Sequence, residues 1–128
     1  MNRFSDTSLN RMVGVNKKLR EIAHRALELS PIDFGIPQYG GMRSAEEQNH
    51  LFHRGKSKCD GYRLKSNHQT GNALDVFAYV NGQASWEREH LAVIACAMLQ
   101  AANELGHKLE WGGLWKSFVD MPHFELKQ

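Results

Sequence analysis

Two short stretches hold most of the residues that could do chemistry. Ser66-Asn67-His68-Gln69-Thr70-Gly71-Asn72-Ala73-Leu74-Asp75 supplies a histidine and a carboxylate seven residues apart, and Asp120-Met121-Pro122-His123-Phe124-Glu125 supplies a second histidine between two carboxylates. The first pair does not match one helix face, but a loop leading into a strand can turn both side chains inward. Gly71 is the natural pivot, since glycine takes backbone angles that other residues avoid. Residues 73–80 are rich in β-branched and aromatic side chains and read as a buried strand. Asp75 interrupts that apolar run, and a carboxylate there is costly unless it is paired or coordinates a metal. Pro122 fixes its own φ and favours extended geometry at Met121, so His123 and Glu125 fall on one side of a short strand. His68, Asp75 and His123 together form a two-histidine, one-carboxylate set. Three protein ligands with one open position is the pattern of catalytic zinc, whereas structural sites are closed by four ligands rich in cysteine.

The pattern Ser-x-His-x-x-Gly-x-Ala-x-Asp, followed by Asp-x-Pro-His-Phe, resembles the zinc peptidoglycan peptidases, the LAS-type metallopeptidases that include D-alanyl-D-alanine carboxypeptidases and the L-alanyl-D-glutamate endopeptidases of phage endolysins. The segment Glu110-Trp111-Gly112-Gly113-Leu114-Trp115-Lys116-Ser117-Phe118 is similar to the one that precedes the last histidine in the endolysin branch, and Gly41-Met42-Arg43-Ser44 is similar to the family's arginine segment. The resemblance spans residues 8 to 126. It implies one zinc ion per chain at His68, Asp75 and His123, a catalytic carboxylate at Asp120, and a substrate-orienting arginine at Arg43. Ser66 and Trp111 join Arg43 as candidate substrate contacts. The implied partner is the peptidoglycan stem peptide.

The chain of 128 residues suits one catalytic domain, residues 1–128, and can bury about two-thirds of its unfolded surface. With 41% hydrophobic residues and no apolar run of about 18 residues, membrane insertion is not expected. The N-terminal residues lack the apolar segment of a signal peptide, so the expectation is synthesis in the host cytoplasm and action on the cell wall after release by something else. A formal charge of +2, from 16 basic and 14 acidic side chains interspersed, gives no nucleic-acid footprint. Residues 54–65 carry Arg54, Lys56, Lys58, Arg63 and Lys65; they read first as a solvated loop and second as a basic rim suited to an anionic polymer. Cys59 and Cys96 stand in no Cys-x-x-Cys pair and read as free thiols, with Cys96 in a buried helix. A monomer is expected.

The elements that must position the site follow from periodicity. Met12, Val15, Leu19, Ile22, Ala26 and Leu29 recur at helical spacing, which predicts a short helix over 8–13 and a longer one over 16–29, stopped by Ser30-Pro31. Residues 32–39 predict a first strand that Pro37 confines to an edge. Ser44 and Glu47 form a capping box opening a helix to about His53, and put Arg43 just before a helix start, where a basic charge opposes the dipole. Asn81-Gly82 is a turn. Ser85 is placed to cap a helix over 86–104 whose buried face is Leu91, Ile94, Ala95, Met98, Leu99, Ala102 and Leu105, ended by Gly106. Residues 108–111 predict a strand before the Gly112-Gly113 turn. Trp111, Trp115 and Phe118 suit either the core or the wall of a groove.

The sum is an α+β domain, helices packed on a small, mainly antiparallel sheet with the metal site at the ends of adjacent strands; the resemblance implies a hedgehog/D,D-peptidase-like fold. The implied function is zinc-dependent hydrolysis of a peptidoglycan peptide bond, as an L-alanyl-D-glutamate endopeptidase. The alternatives are a D-alanyl-D-alanine carboxypeptidase and a zinc-stabilised wall-binding module without activity, the latter opposed by the intact Asp120. His50 and His53, three apart on one helix, have no acidic or cysteine partner at ligand spacing. Replacing either by alanine is expected to leave the metal content of the purified protein at the wild-type level; loss of metal from a folded variant, read by elemental analysis, would assign the ligands differently.

Overall fold

The computed structural model describes residues 2–127. Helix α1 (Asp6–Arg11) is capped by Ser5, whose hydroxyl accepts the Ser8 N–H at 3.1 Å, and helix α2 (Lys17–Leu29) by Asn16, whose side chain accepts the Lys18 N–H at 2.9 Å. The buried stripe of α2 is Leu19, Ile22, Ala23, Ala26 and Leu27. It packs against helix α4 (Arg88–Leu105), which buries Leu91, Ile94, Ala95, Met98 and Ala102 and also covers strands of both sheets.

The expected α+β architecture is present, with its antiparallel strands divided into two sheets of three. One has the order β1 (Asp33–Gly35), β3 (Phe77–Val80), β4 (Gln83–Ser85); the other has β2 (Ala73–Asp75), β6 (His123–Leu126), β5 (Leu109–Trp111). The run expected as one strand over 73–80 therefore changes sheet at Val76. Its N–H donates to the Pro122 carbonyl at 3.0 Å, and its side chain is buried in the common core with Leu74, Phe34 and Phe124. The first strand is shorter than expected and lies at a sheet edge, as the nearby Pro37 requires.

Asn81 and Gly82 both take positive φ, 54° and 76°, and join β3 to β4 in a two-residue hairpin. Ser85 belongs to β4 instead of capping a helix; its hydroxyl hydrogen-bonds with His90 at 2.6 Å, and α4 starts after Glu87 with no side-chain cap. Cys96 is exposed on the outer face of α4, and Leu105 is exposed in its last turn. Helix α3 (Ala45–His53) opens with the predicted capping box of Ser44 and Glu47. His24, His50 and His53 are all exposed.

Phe124 ties these layers to the site: it is 0% exposed, sits beside His123 in β6, and stands opposite Leu74 in one neighbouring strand and Trp111 in the other. Phe124→Ala should lower the unfolding free energy by about 3–5 kcal/mol in urea melts. Val13→Ala, at a position 71% exposed, should stay within about 0.5 kcal/mol of wild type. Equal effects from the two substitutions would refute this account of the core.

Candidate metal centre and active-site cleft

His68 lies in a 3₁₀ turn (Asn67–Gln69) that local hydrogen bonds define. The Ser66 hydroxyl accepts the His68 N–H at 3.1 Å, and the Gln69 side chain accepts the Ser66 N–H at 2.9 Å. His68 Nδ1 is 2.9 Å from the Gly41 carbonyl, which can only accept, so Nδ1 carries the proton and the Nε2 lone pair turns inward. His123 is held in the complementary way: Nε2 donates to Glu125 Oε1 at 2.7 Å, leaving the Nδ1 lone pair facing the same point. Strand register brings in the third group, because Asp75 of β2 stands opposite His123 of β6.

The three inward atoms form a nearly regular triangle. His68 Nε2 is 3.2 Å from His123 Nδ1, His123 Nδ1 is 3.1 Å from Asp75 Oδ1, and His68 Nε2 is 3.3 Å from Asp75 Oδ1. Ligands bound tetrahedrally at about 2.0–2.1 Å from a zinc ion stand about 3.3–3.4 Å apart. Two lone pairs and a carboxylate oxygen at this separation repel unless a cation lies among them. The set fits a metal ion in both spacing and donor type.

Electrostatics shows the same demand for positive charge. Burial opposes ionisation of Asp75, but His68 and His123, when protonated, hold its carboxyl far below the usual carboxylate range by charge and hydrogen bonding. Burial likewise disfavours the charged form of His123, yet Asp75 and Glu125 overcome it and push its pKa up to about 10. The hydrogen bond to His123 also holds Glu125 below its ordinary value, against its partial burial. Glu125 thus keeps its charge and orients the imidazole, the usual service of a carboxylate behind a metal-binding histidine.

Arg43 meets the site from outside. Its Nη2 donates to Asp75 Oδ2 at 3.2 Å, its Nε to the Tyr39 carbonyl at 2.7 Å, and its Nη1 to Gln48 Oε1 at 3.0 Å. Among the described residues, three of the five guanidinium N–H groups find a protein partner and two do not. Asp120 comes within 4.0 Å of His123 Nδ1 through Oδ2, beside the triangle but not part of it. Burial, then the negative charge of Asp75, raises its pKa against the pull of His123, His68 and Arg43.

These groups open into one cleft of about 1080 Å³, lined by Arg43, Ser66, His68, Asp75, Asp120, His123 and Glu125. Trp111, a candidate substrate contact, is not among its lining residues; its indole N–H donates to the Met121 carbonyl at 2.6 Å and braces the turn between Asp120 and His123. Trp115 does line the cleft, with its ring 5.2 Å from that of His123. Sequence reasoning missed Gln48, which is 0% exposed on α3 and has no motif to mark it. It also missed the Gly41 carbonyl, which no side-chain pattern could reveal.

An α+β domain that aims two histidines and one aspartate at a solvent-open cleft, with an unligated carboxylate alongside, defines a metal-dependent hydrolase of the three-ligand kind. The family model for Phage L-alanyl-D-glutamate peptidase matches residues 1–127, and the chain belongs to that family. It is 36% identical over 127 residues to the L-alanyl-D-glutamate peptidase of Escherichia phage T5, covering 98% of this chain and 90% of that protein. It is 31% identical over 102 residues to the peptidoglycan L-alanyl-D-glutamate endopeptidase CwlK of Bacillus subtilis (strain 168), covering 67% of this chain and 57% of that one. The crystal structure of the Serratia marcescens L-Ala D-Glu endopeptidase ChiX superposes with a TM-score of 0.87 at 36% identity, covering 99% of this chain and 90% of that one.

If Glu125 orients His123, Glu125→Ala should weaken metal binding about 10- to 100-fold in a competition titration against a chromogenic chelator. An unchanged affinity would remove Glu125 from the support of the site.

Proposed function

We propose that the chain hydrolyses the L-alanyl–D-glutamate bond of peptidoglycan as a single catalytic domain, with zinc held by His68, Asp75 and His123 and with Asp120 as the general base. The observation that carries this reading is the Asp120 carboxylate, set 4.0 Å from a ligand atom of the triangle and open to the cleft. Bound there, zinc supplies Lewis acidity towards the scissile carbonyl and the attacking water.

The residues of the chain do the rest. Asp120 accepts a proton from the attacking water and returns it to the nitrogen of the departing D-glutamate as the C–N bond breaks. Its raised pKa makes it a stronger base than an exposed aspartate. The two unengaged N–H groups of Arg43 suit the oxygen on which negative charge develops. Ser66 holds the backbone of His68 and also lines the cleft, where it remains a candidate substrate contact, while Trp111 holds the Asp120 turn from outside the cleft. Trp115 walls the cleft beside His123. A wall-binding module would have no use for a base beside its metal, and no helix among the described residues is long and apolar enough to cross a membrane.

Digestion of purified peptidoglycan should release fragments with new alanine C-termini and new glutamate N-termini, identified by mass spectrometry. Asp120→Asn is close to isosteric but cannot take the proton. The variant should retain its metal and lose about 10²- to 10⁴-fold in the initial rate of muropeptide release. A near-wild-type rate would exclude Asp120 as the base, and loss of metal would make it a ligand.

A further inference from the structure

We propose that the basic segment of the cleft wall is a carboxylate-reading subsite for the glutamate side of the substrate, with Lys56 and Lys58 as its specificity-determining side chains. This rests on the reading of the site given above. D-Glutamate has two carboxyl groups, its nitrogen lies in the scissile bond, and the peptide continues through only one of them. The other is left as a free anion a few bonds from the atom that Asp120 must protonate.

The metal-facing part of the cleft is already committed, its metal and the free Arg43 N–H groups serving the scissile carbonyl and the water. Asp75, Asp120 and Glu125 already concentrate negative charge there, and the Arg43 guanidinium is committed in part to Asp75. Countercharge comes from another piece of chain: Arg54, Lys56, Lys58 and Lys65 all line the same cleft. Among the described residues, none of the four enters an ion pair. The one acid within the segment is spent on its own loop, since Asp60 Oδ1 accepts the N–H groups of Tyr62, Arg63 and Leu64 at 3.0, 2.9 and 2.9 Å. A row of unpaired cations beside a carboxylate-rich metal site suits a substrate that is itself an anion.

Lys56 and Lys58 are singled out by their anchorage. They flank Ser57, and the buried Gln48 amide donates to Ser57 Oγ and to the Cys59 carbonyl, both at 2.8 Å, while its oxygen accepts from Arg43. The backbone carrying the two lysines is thereby tied through Gln48 and Arg43 to the metal ligand Asp75. The Lys58 ammonium lies 4.9 Å from the centre of the Phe118 ring, another lining residue, a contact that orients it without neutralising it.

The test uses two synthetic stem peptides that differ in one group, the free carboxylate of D-glutamate or its primary amide, with the zinc-loaded full chain. Wild type should cleave the free acid with the higher kcat/KM, by about tenfold, as two partly exposed ion pairs would give. In the Lys56→Gln/Lys58→Gln double variant, with zinc content checked, that preference should fall to near one; in Lys56→Arg/Lys58→Arg it should survive. Equal cleavage of both peptides by wild type, or a preference that survives in the glutamine variant, would overturn the subsite and leave the site chemistry standing. Failure of wild type to cut either peptide between alanine and glutamate would remove the underlying reading and the subsite with it.

Discussion

Everything around the site answers to one constraint: three electron-rich atoms are held 3.1 to 3.3 Å apart in a mostly buried place where they repel one another. A folded chain can sustain that only if each group is held from behind, and each is. The Gly41 carbonyl holds His68, Glu125 holds His123, and Arg43 holds the outer oxygen of Asp75. The arrangement couples metal binding to folding, because β2 and β6 must be in register before the triangle exists. The raised pKa of His123 has the same origin, the two carboxylates Asp75 and Glu125 that flank its ring.

The division into two sheets serves this constraint. β2 and β6 carry ligands, and the chain then crosses at Val76 into the other sheet, so Asp75 ends one strand at the cleft while the next residue enters the core. The Asp75 N–H bonds the Gly40 carbonyl, next to the Gly41 carbonyl that orients His68. A Cβ at Gly41 would run into the Arg11 carbonyl, so α1 packs against the segment that sets the histidine tautomer. The helices therefore act on the chemistry indirectly, by fixing where a glycine carbonyl points.

The chemistry was more legible in the sequence than the architecture. Histidines and carboxylates in the cleft come from motif positions whose spacing survives folding, and the alternation of His123 and Glu125 on one strand face was readable from Pro122 onward. The sheet change at Val76 was not, because residues 73–80, Asp75 apart, are apolar or β-prone, and a strand buried in one sheet has the same composition as one buried in another. Ser85 failed as a helix cap since the Asn81-Gly82 hairpin extends the strand pairing to that residue first. Gln48 left no trace, because its three hydrogen bonds reach a guanidinium, a hydroxyl and a backbone carbonyl that only the fold assembles. The tryptophans share one chemistry, and only the fold separates Trp111, braced on Met121, from Trp115, open to the cleft.

The same brace bears on the role proposed for Asp120, a base that is not a fourth ligand. Its N–H donates to the Gly112 carbonyl at 3.0 Å, its carbonyl accepts the His123 N–H at 3.2 Å, and Trp111 holds the intervening Met121. A Cβ at Gly112 would strike the Asp120 carbonyl, so the glycine lets the two backbone segments close. With its backbone fixed on both sides, the Asp120 carboxylate stands beside the triangle, 4.0 Å from His123 Nδ1. A fourth protein ligand would close the site and leave no position for water or substrate. The turn from Trp111 to His123 thus keeps the site at three protein ligands, with backbone hydrogen bonds and one indole.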